Sequence, residues 1–562
     1  MKAKLLLKSF KLLLDYKPWW LVWIFLLSLL LGAGQGFSVV LLIPFLELLE
    51  VGTTEANNPL VNFFANWFEA WNISLRLENV LLIYVVVLGL IALITYGKYM
   101  LQSAYQQQFT YRIRRRLFRK IILSDWAELT TKSRHNHLQV LTEEVPKLSD
   151  YFHFYLQLLG RLLMLAAYLF YAYLISPGFT LLVAATGLAA LILFRGYLGR
   201  ARSLGRSYVA VFNNLLKYID DFWASVKVAK VHHSEDVYYN KFEKASHDML
   251  KLEYKMNQTY ALPQLFYKLT GILILTVVIY AGYRLDQIPL SGFFILIILF
   301  ARILPQFTGI NNDLNHIFAY MGPVQMVLDL DEKLHEQQFT QIHTRQRLEV
   351  HREIKLRDIH FSYPGNPPVF QGLHAHIPAL SFTGIVGETG SGKTTLIDII
   401  AGLQQPEKGE VMVDGISLEG EKIIQWKNGL AYLPQQPMFI DGTIRDNLIW
   451  DNRQQLTDET LWESLRTVRA ESLINKLPAG LDTFIPNYPF RFSGGECQKL
   501  ALARVLLRQP TLLILDEATS SLDTVNEAAL MEVISLLKKQ VAIIMVTHRQ
   551  SVFPWFDHVI KL

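Results

Sequence analysis

Cysteine is nearly absent from this chain. Its 562 residues hold one, Cys497, so no disulfide can form within the chain and cysteine-only metal sites are excluded. Charge is scarce as well. Asp, Glu, Lys and Arg make up 18 % of the residues, against 51 % hydrophobic ones, and mean hydropathy is positive. A purely soluble protein carries more charge, ~25 %. A net charge of only +5 argues against a nucleic-acid partner, which would be met by a strongly basic surface. The apolar excess lies almost wholly before residue 320, and the remainder reads as ordinary globular protein.

A membrane span needs about 20 mostly apolar residues, because ~30 Å of hydrocarbon is crossed at 1.5 Å per residue. Six stretches qualify: Trp20–Leu46, Val80–Leu101, Tyr155–Ile175, Phe179–Leu198, Leu262–Tyr283 and Ile288–Leu304. Six such runs in one half of a chain are too many for buried helices of a soluble protein. "YRIRRRLFRK" follows the second run, and Arg195, Arg200, Arg202 and Arg206 follow or close the fourth. By the positive-inside rule both connections are cytoplasmic. Glu50, Glu55, Glu69 and Glu78 between the first two runs suit the outside, so both termini are expected in the cytoplasm. The basic run Arg112–Lys120 reads as a solvated helix face next to the membrane. The opening, with Lys2, Lys4, Lys8 and Lys11 among leucines, reads as an amphipathic helix on the inner membrane face. The connections after the second and fourth runs are long, polar and helical in pattern. They are expected to turn near Asp125–Arg134 and Asp220–Ser225 and to touch another domain there.

The expected organisation is a transmembrane domain over 1–325, a charged linker over 326–349 and a nucleotide-binding domain over 350–562. In the last part short β-rich segments alternate with helices, which argues for an α/β fold with a largely parallel sheet. "FTGIVGETGSGKTTLIDIIAGL" reads as strand, Gly-rich loop and helix. Gly387, Glu388, Thr389, Gly390, Ser391 and Gly392 with Lys393, Thr394 and Thr395 fit the P-loop, whose backbone N–H groups curl around phosphate. Lys393 adds a point charge, and the Thr394 hydroxyl can take one Mg²⁺ position. "TLLILDEATSSLD" carries a buried strand to Asp516, placed to bind Mg²⁺, and Glu517, placed to polarise an attacking water. "VAIIMVTHRQ" ends a further strand near His548, a candidate γ-phosphate contact.

On these motifs the chain resembles the six-span half-transporters of the ABC exporter family, including those that flip lipids and lipid-linked oligosaccharides. The resemblance implies a six-helix transmembrane domain with long cytoplasmic helix extensions, joined to a P-loop nucleotide-binding domain of ABC type. It implies ATP and Mg²⁺ as cofactors, ATP hydrolysis coupled to transport, and an inner (plasma) membrane location. Tyr363 in "FSYPGNPPVF" would stack on adenine, and Gln435 in "AYLPQQPMF" would touch Mg²⁺ and the membrane domain. Ser493, Gly494 and Gly495 would be the signature motif, and Asp523 the D-loop aspartate. One P-loop and one signature per chain imply a homodimer.

Two features depart from the family pattern. Glu496 stands where Gln is usual, and Ser493-x-x-Glu496 has the spacing of a capping box. Upstream, Asn487-Tyr488-Pro489 after Pro486 stands where relatives often carry Gly-Glu-Arg-Gly, so the acidic residue that in relatives contacts the cytoplasmic helix turns is missing. Tyr488 and Phe490 are expected to make that contact aromatic, altering coupling and not hydrolysis. Cys497 reads as a plain helix residue. Lys98, Arg161, Lys268 and Arg302 fall within or near apolar runs, where cations are costly and are functional candidates. Together they would hold an anionic headgroup, so a membrane lipid or lipid-linked glycan is the expected substrate. Export of a peptide or a hydrophobic drug is the alternative.

Overall fold

A computed structural model describes residues 11–12, 14–42, 66, 70, 76–131, 134–285, 290–334, 346–450, 456–486, 492–520 and 522–562. Lys2, Lys4, Lys8, Glu50, Glu55, Glu69 and the Asn487–Phe490 stretch lie outside the described residues. The chain divides into two compact units. One comprises Met1–Ser124 and Glu128–Gln337, the other Asp125–Ala127 and Gln338–Leu562.

The described residues of the first unit are helical. Its main elements are α1 (Pro18–Val40), α2 (Leu77–Leu123), α3 (Val145–Ile175), α4 (Pro177–Leu193), α5 (Arg195–Val231), α6 (Glu235–Leu285), α7 (Leu290–Ala319) and α8 (Met321–Lys333). Six helical stretches among the described residues are long and apolar enough to cross a membrane. Proline opens α1, α3 and α4 at the first or second helical position, where its missing N–H costs nothing. The 51 residues of α6 reach about 75 Å at 1.5 Å per residue, well over twice the hydrocarbon thickness. Helices of this length must project from the bilayer.

The turn between the fourth and fifth spans is not at Asp220–Ser225. Those residues continue α5, which runs to Val231, because "DDFWASVKVAKV" contains no residue that breaks a helix. The chain turns at His232–Ser234, with His233 at φ +49° and the acids Glu235 and Asp236 in the first turn of α6, where they suit the helix dipole. The first turn is near its expected place. Helix α2 ends at Leu123, a short helix Trp126–Thr131 follows, and Asp125–Ala127 group with the second unit.

The first residues of the expected linker, 326–333, are helical. Helix α8 runs to Lys333 and buries Val324, Val327, Leu328 and Leu330. Its acid Asp331 lies 2.8 Å from both Arg116 and Lys120. The basic run on α2 is thus partly neutralised by α8.

Close helix packing needs small residues here. A β-carbon at Gly205 on α5 would lie 2.1 Å from the carbonyl oxygen of Ala319, so α5 meets the end of α7 backbone to backbone. Helices α3 and α7 pack along their length. Across them Arg161 Nε donates to Asp313 Oδ2 at 2.8 Å. The guanidinium passes over Gly309, where a β-carbon would be 2.3 Å from Arg161 Nη1.

The second unit has two main sheets. Strands β1 (Glu353–Ser362), β2 (Pro368–Pro378), β4 (Lys408–Val413) and β5 (Ile416–Ser417) form an antiparallel sheet in the order β2-β1-β4-β5. Strands β3 (Phe382–Val386), β6 (Leu430–Leu433), β7 (Leu512–Asp516), β8 (Ala542–Val546) and β9 (His558–Lys561) form a parallel sheet in the order β9-β3-β8-β7-β6. "FTGIV" and "AIIMV" are buried throughout, as parallel strands covered on both faces must be. Helices α9 (Lys393–Ile400), α10 (Glu421–Asn428), α11 (Gly494–Leu506) and α12 (Thr524–Leu537) accompany them. Trp426 is fully buried and donates its indole N–H to the Ile400 carbonyl at 2.7 Å, tying α10 to α9.

The contact at Gly205 gives a stability test. Gly205→Ala is expected to lower the thermal midpoint of the detergent-purified chain, since overpacking costs about 1–3 kcal/mol. Gly196→Ala, also on α5 but with no atom within 4 Å of the added carbon, should leave the midpoint unchanged or raise it slightly.

Candidate active site

The parallel strand order brings four sequence-distant segments to one edge. The P-loop follows β3, the segment of Gln435 follows β6, Asp516 ends β7, and His548 lies two residues beyond β8. In open α/β sheets the carboxyl ends of the strands are where ligands bind.

The loop from Gly387 to Gly392 needs its glycines. Gly390 and Gly392 have φ of +88° and +95°, where other residues are strained. A β-carbon at Gly392 would also lie 2.6 Å from Val369 Cγ1. Lys393 bends back, and its ammonium donates to the carbonyls of Gly387 at 2.9 Å and Glu388 at 2.7 Å. Glu388, Thr389 and Gly390 are exposed, as is Thr394, while Thr395 is buried. The Ser391 hydroxyl is buried without a protein partner. Tyr363 and Thr395 share a hydrogen bond of 3.1 Å between their hydroxyls, which fixes the tyrosine beside the first turn of α9.

Asp516 and Glu517 are held in different ways. Asp516 Oδ2 accepts from the Tyr432 hydroxyl at 2.8 Å. Burial pushes the Asp516 carboxyl up from its ordinary range, and the neighbouring Glu517 charge adds to this. Asp398 on α9 is pushed up to about 6, chiefly by burial, with the Asp516 charge adding. Glu517 Oε2 accepts from Gln435 Nε2 at 2.7 Å, and its Oε1 lies 3.4 Å from His548 Nδ1. Glu517 has φ +46°, an uncommon conformation for a residue with a side chain. Its N–H donates to the Val546 carbonyl at 3.0 Å, which locks the end of β7 to the end of β8.

The Ser-Gly-Gly segment opens α11. Its capping box forms: the Ser493 N–H and hydroxyl both donate to Glu496 Oε2, at 2.8 and 2.9 Å, and the Glu496 N–H donates to Ser493 Oγ at 3.4 Å. Gly495 faces the D-loop, since a β-carbon there would lie 3.1 Å from Leu522 Cδ2. Asp523 caps α12 by accepting from the Asn526 N–H at 2.7 Å, a bond that also holds its carboxyl below the usual range. Cys497 is buried and burial pushes its thiol up, so it is a poor nucleophile. Among the described residues no hydrogen bond or ion pair joins Ser493–Glu496 to Gly387–Thr395.

The donors suit a nucleoside triphosphate with a hard divalent cation. Backbone N–H groups at a helix start, a lysine and an unpartnered buried hydroxyl favour phosphate. Thr394, Gln435 and Asp516 offer the oxygen ligands that Mg²⁺ takes.

The ABC transporter transmembrane region, as a family model, matches residues 21–306, and the ABC transporter model matches residues 370–520. The chain belongs to the ABC transporter family. The ATP-dependent lipid A-core flippases of Shigella flexneri and Escherichia coli K12 are each 28 % identical to it over 333 residues, 58 % of this chain and 56 % of theirs. ABC transporter B family member 21 of Arabidopsis thaliana is 32 % identical over 205 residues, 36 % of this chain and 16 % of that protein. The chain thus spans about half, or less, of the length of these relatives.

Two residues of this ABC transporter site carried no recognisable signal in the sequence. Tyr432 reads as one aromatic in a strand until β6 is placed beside β7. Arg549 follows the histidine and binds the D-loop, donating to the carbonyls of Ser520 at 2.8 Å and Leu522 at 3.1 Å and to Glu527 Oε1 at 2.8 Å. The four intramembrane cations are only partly brought together. Lys98 and Arg161 are close enough for their charges to interact, and a β-carbon on Gly160 would lie 3.1 Å from Lys98 Nζ. Asp313 pairs with Arg161 through Nε and offsets its charge. Arg302 and Lys268 have exposed side chains.

Two outcomes are expected. Glu517→Gln keeps the side-chain shape and should retain binding of a fluorescent ATP analogue while phosphate release falls about 10²–10⁴-fold, the usual loss for a general base. Tyr432→Phe removes the hydrogen bond that orients Asp516. It should raise the Mg²⁺ concentration for half-maximal phosphate release about 10–100-fold, as loss of an outer-shell partner does, with ATP analogue binding retained.

Proposed function

We propose that two copies of this chain form an ATP-driven exporter. It would move an amphipathic, anionic lipid or lipid-linked glycan across the inner (plasma) membrane by alternating access. Both termini and the nucleotide-binding unit would face the cytoplasm. The observation that carries this reading is the pair of separate half-sites: a P-loop edge and a Ser-Gly-Gly helix start, unlinked by hydrogen bonds among the described residues. Each supports a site completed by the other copy.

In this reading Gly387–Thr395 cradle the phosphates and Tyr363 stacks on adenine. Mg²⁺, held by Thr394, Gln435 and Asp516, would neutralise charge on the β- and γ-phosphates. Glu517 takes the proton of the attacking water, and Gln435 and His548 hold its carboxylate in position. Ser493, Gly494, Gly495 and Asp523 meet the nucleotide bound by the second copy. The Ser493 hydroxyl would turn from Glu496 to the phosphate, and the Glu496 carboxylate keeps its bond to the Ser493 N–H and so steadies the helix start.

The substrate class is supported by the similarity to lipid A-core flippases and by the distribution of charge. Asp313 neutralises Arg161, which leaves Lys98, Lys268 and Arg302 as the cations for an anionic headgroup. Reconstitution into liposomes tests this reading. An anionic lipid-linked glycan should stimulate ATP hydrolysis. Arg302→Gln should raise the concentration for half-maximal stimulation roughly tenfold, the cost of losing one bond to a charged group. Stimulation by peptides and not by any anionic lipid would overturn the proposal and favour a peptide or drug exporter.

A further inference from the structure

A cavity of ≈ 720 Å³ opens between α5 and α6, lined by Tyr197, Arg200, Leu204, Lys255, Leu262 and Leu265 among others. It lies where both helices leave their apolar runs. Along α6 the lining passes from Leu265 and Leu262 through Thr259 and Gln258 to Lys255, from hydrocarbon character to charge within about three turns. Along α5 it passes from Tyr197 at the end of the fourth apolar run to Arg200 and Ser203.

Several cations of this unit are neutralised within it: Arg116, Lys120, Lys147, Arg161 and Lys230 pair with carboxylates. Among the described residues Arg200 and Lys255 have no carboxylate partner. Arg200 is instead fixed by lying 5.0 Å over the Tyr197 ring, an arrangement that leaves its N–H edge free. Leu262 and Leu265 are about half exposed, at 49 % and 54 %, directly beside this charge.

We propose that this cavity binds one anionic phospholipid of the cytoplasmic leaflet as a resident molecule. Its phosphate lies between Arg200 and Lys255, Gln258 and Ser203 donate to headgroup oxygens, and an acyl chain covers Leu262 and Leu265. The gradient of polarity matches such a lipid, whose phosphate meets the charged end of the cavity and whose chain meets the leucines. This inference rests on the proposed reading only in that α5 and α6 cross a bilayer with their polar extensions on the cytoplasmic side. It stands or falls apart from the identity of the transported substrate.

Photo-crosslinking tests it. The full chain is placed in phosphatidylcholine nanodiscs with a trace of photoactivatable phosphatidylglycerol, and labelled peptides are mapped by mass spectrometry. Labelling is expected within 197–204 and 255–265. It should fall about tenfold or more in Arg200→Gln/Lys255→Gln, since each basic residue near the surface contributes about fivefold to anionic-lipid binding. Lys251→Gln, a cation of α6 outside the cavity, should change nothing. The unaltered chain supplies a second measurement that needs no variant: photoactivatable phosphatidylglycerol should label the cavity more than photoactivatable phosphatidylcholine, and the excess should shrink with added salt. Equal labelling by the two lipids overturns the proposal. Absence of labelling in the cavity also overturns it, and would mean that a second copy of the chain covers this face. Competition by inorganic phosphate that abolishes labelling would replace the lipid with a soluble anion and overturn it too.

Discussion

The placement of β7 between β6 and β8 is the constraint on which the candidate active site depends. In a parallel sheet neighbouring strands end on the same side. Asp516, at the end of β7, therefore meets Tyr432 from β6, and Glu517 hangs from β8 through its bond to the Val546 carbonyl. The next neighbour, β3, delivers the P-loop. A different strand order would leave the same motifs intact in sequence and scattered in space. The unfavourable backbone at Glu517 is a consequence of the same constraint. The chain must turn sharply out of a buried strand there, and the bond to β8 and the grip of Gln435 and His548 leave the carboxylate little choice of position.

The nucleotide-binding unit also links its parts through unremarkable residues. Arg549 joins the segment after β8 to the D-loop by two hydrogen bonds and to α12 by a third, to Glu527. Gly495 allows the start of α11 to approach Leu522. A movement of the signature helix, of the D-loop or of His548 would therefore be felt by the others. In the proposed dimer this is a physical route by which closure of two half-sites would register at Glu517.

In the membrane unit the governing fact is the cost of charge in an apolar setting. Arg161 is neutralised by Asp313, with Gly309 making room for the guanidinium. Beyond the apolar run of α2, Arg116 and Lys120 share Asp331 where α8 covers that helix. Arg200 and Lys255 are left at the level where apolar helix gives way to polar extension, and there lipid phosphate is the available counter-charge. These differences in environment do not follow from hydropathy, which treats every cation in an apolar run alike.

Much of this protein is determined by its sequence alone. Six apolar runs of sufficient length, the P-loop glycines, the acids ending an apolar strand and the Ser-x-x-Glu cap are local patterns. Their physical causes, hydrocarbon thickness, backbone freedom and helix-end hydrogen bonding, act over a few residues, and so they can be read from a few residues. The turn at His232–Ser234 was misplaced because two adjacent aspartates resemble a break, while an uninterrupted helical face on either side of them overrides it. The extent of α8 was hidden because charge on its outer face masked the buried valines and leucines. Tyr432, Arg549 and Asp313 were out of reach for another reason. Each acts on a partner 22 to 152 residues away along the chain, and a tyrosine, arginine or aspartate has no local pattern that names its partner. Only the tertiary structure decides such pairs, because only strand order and helix packing set which distant residues share a few ångströms.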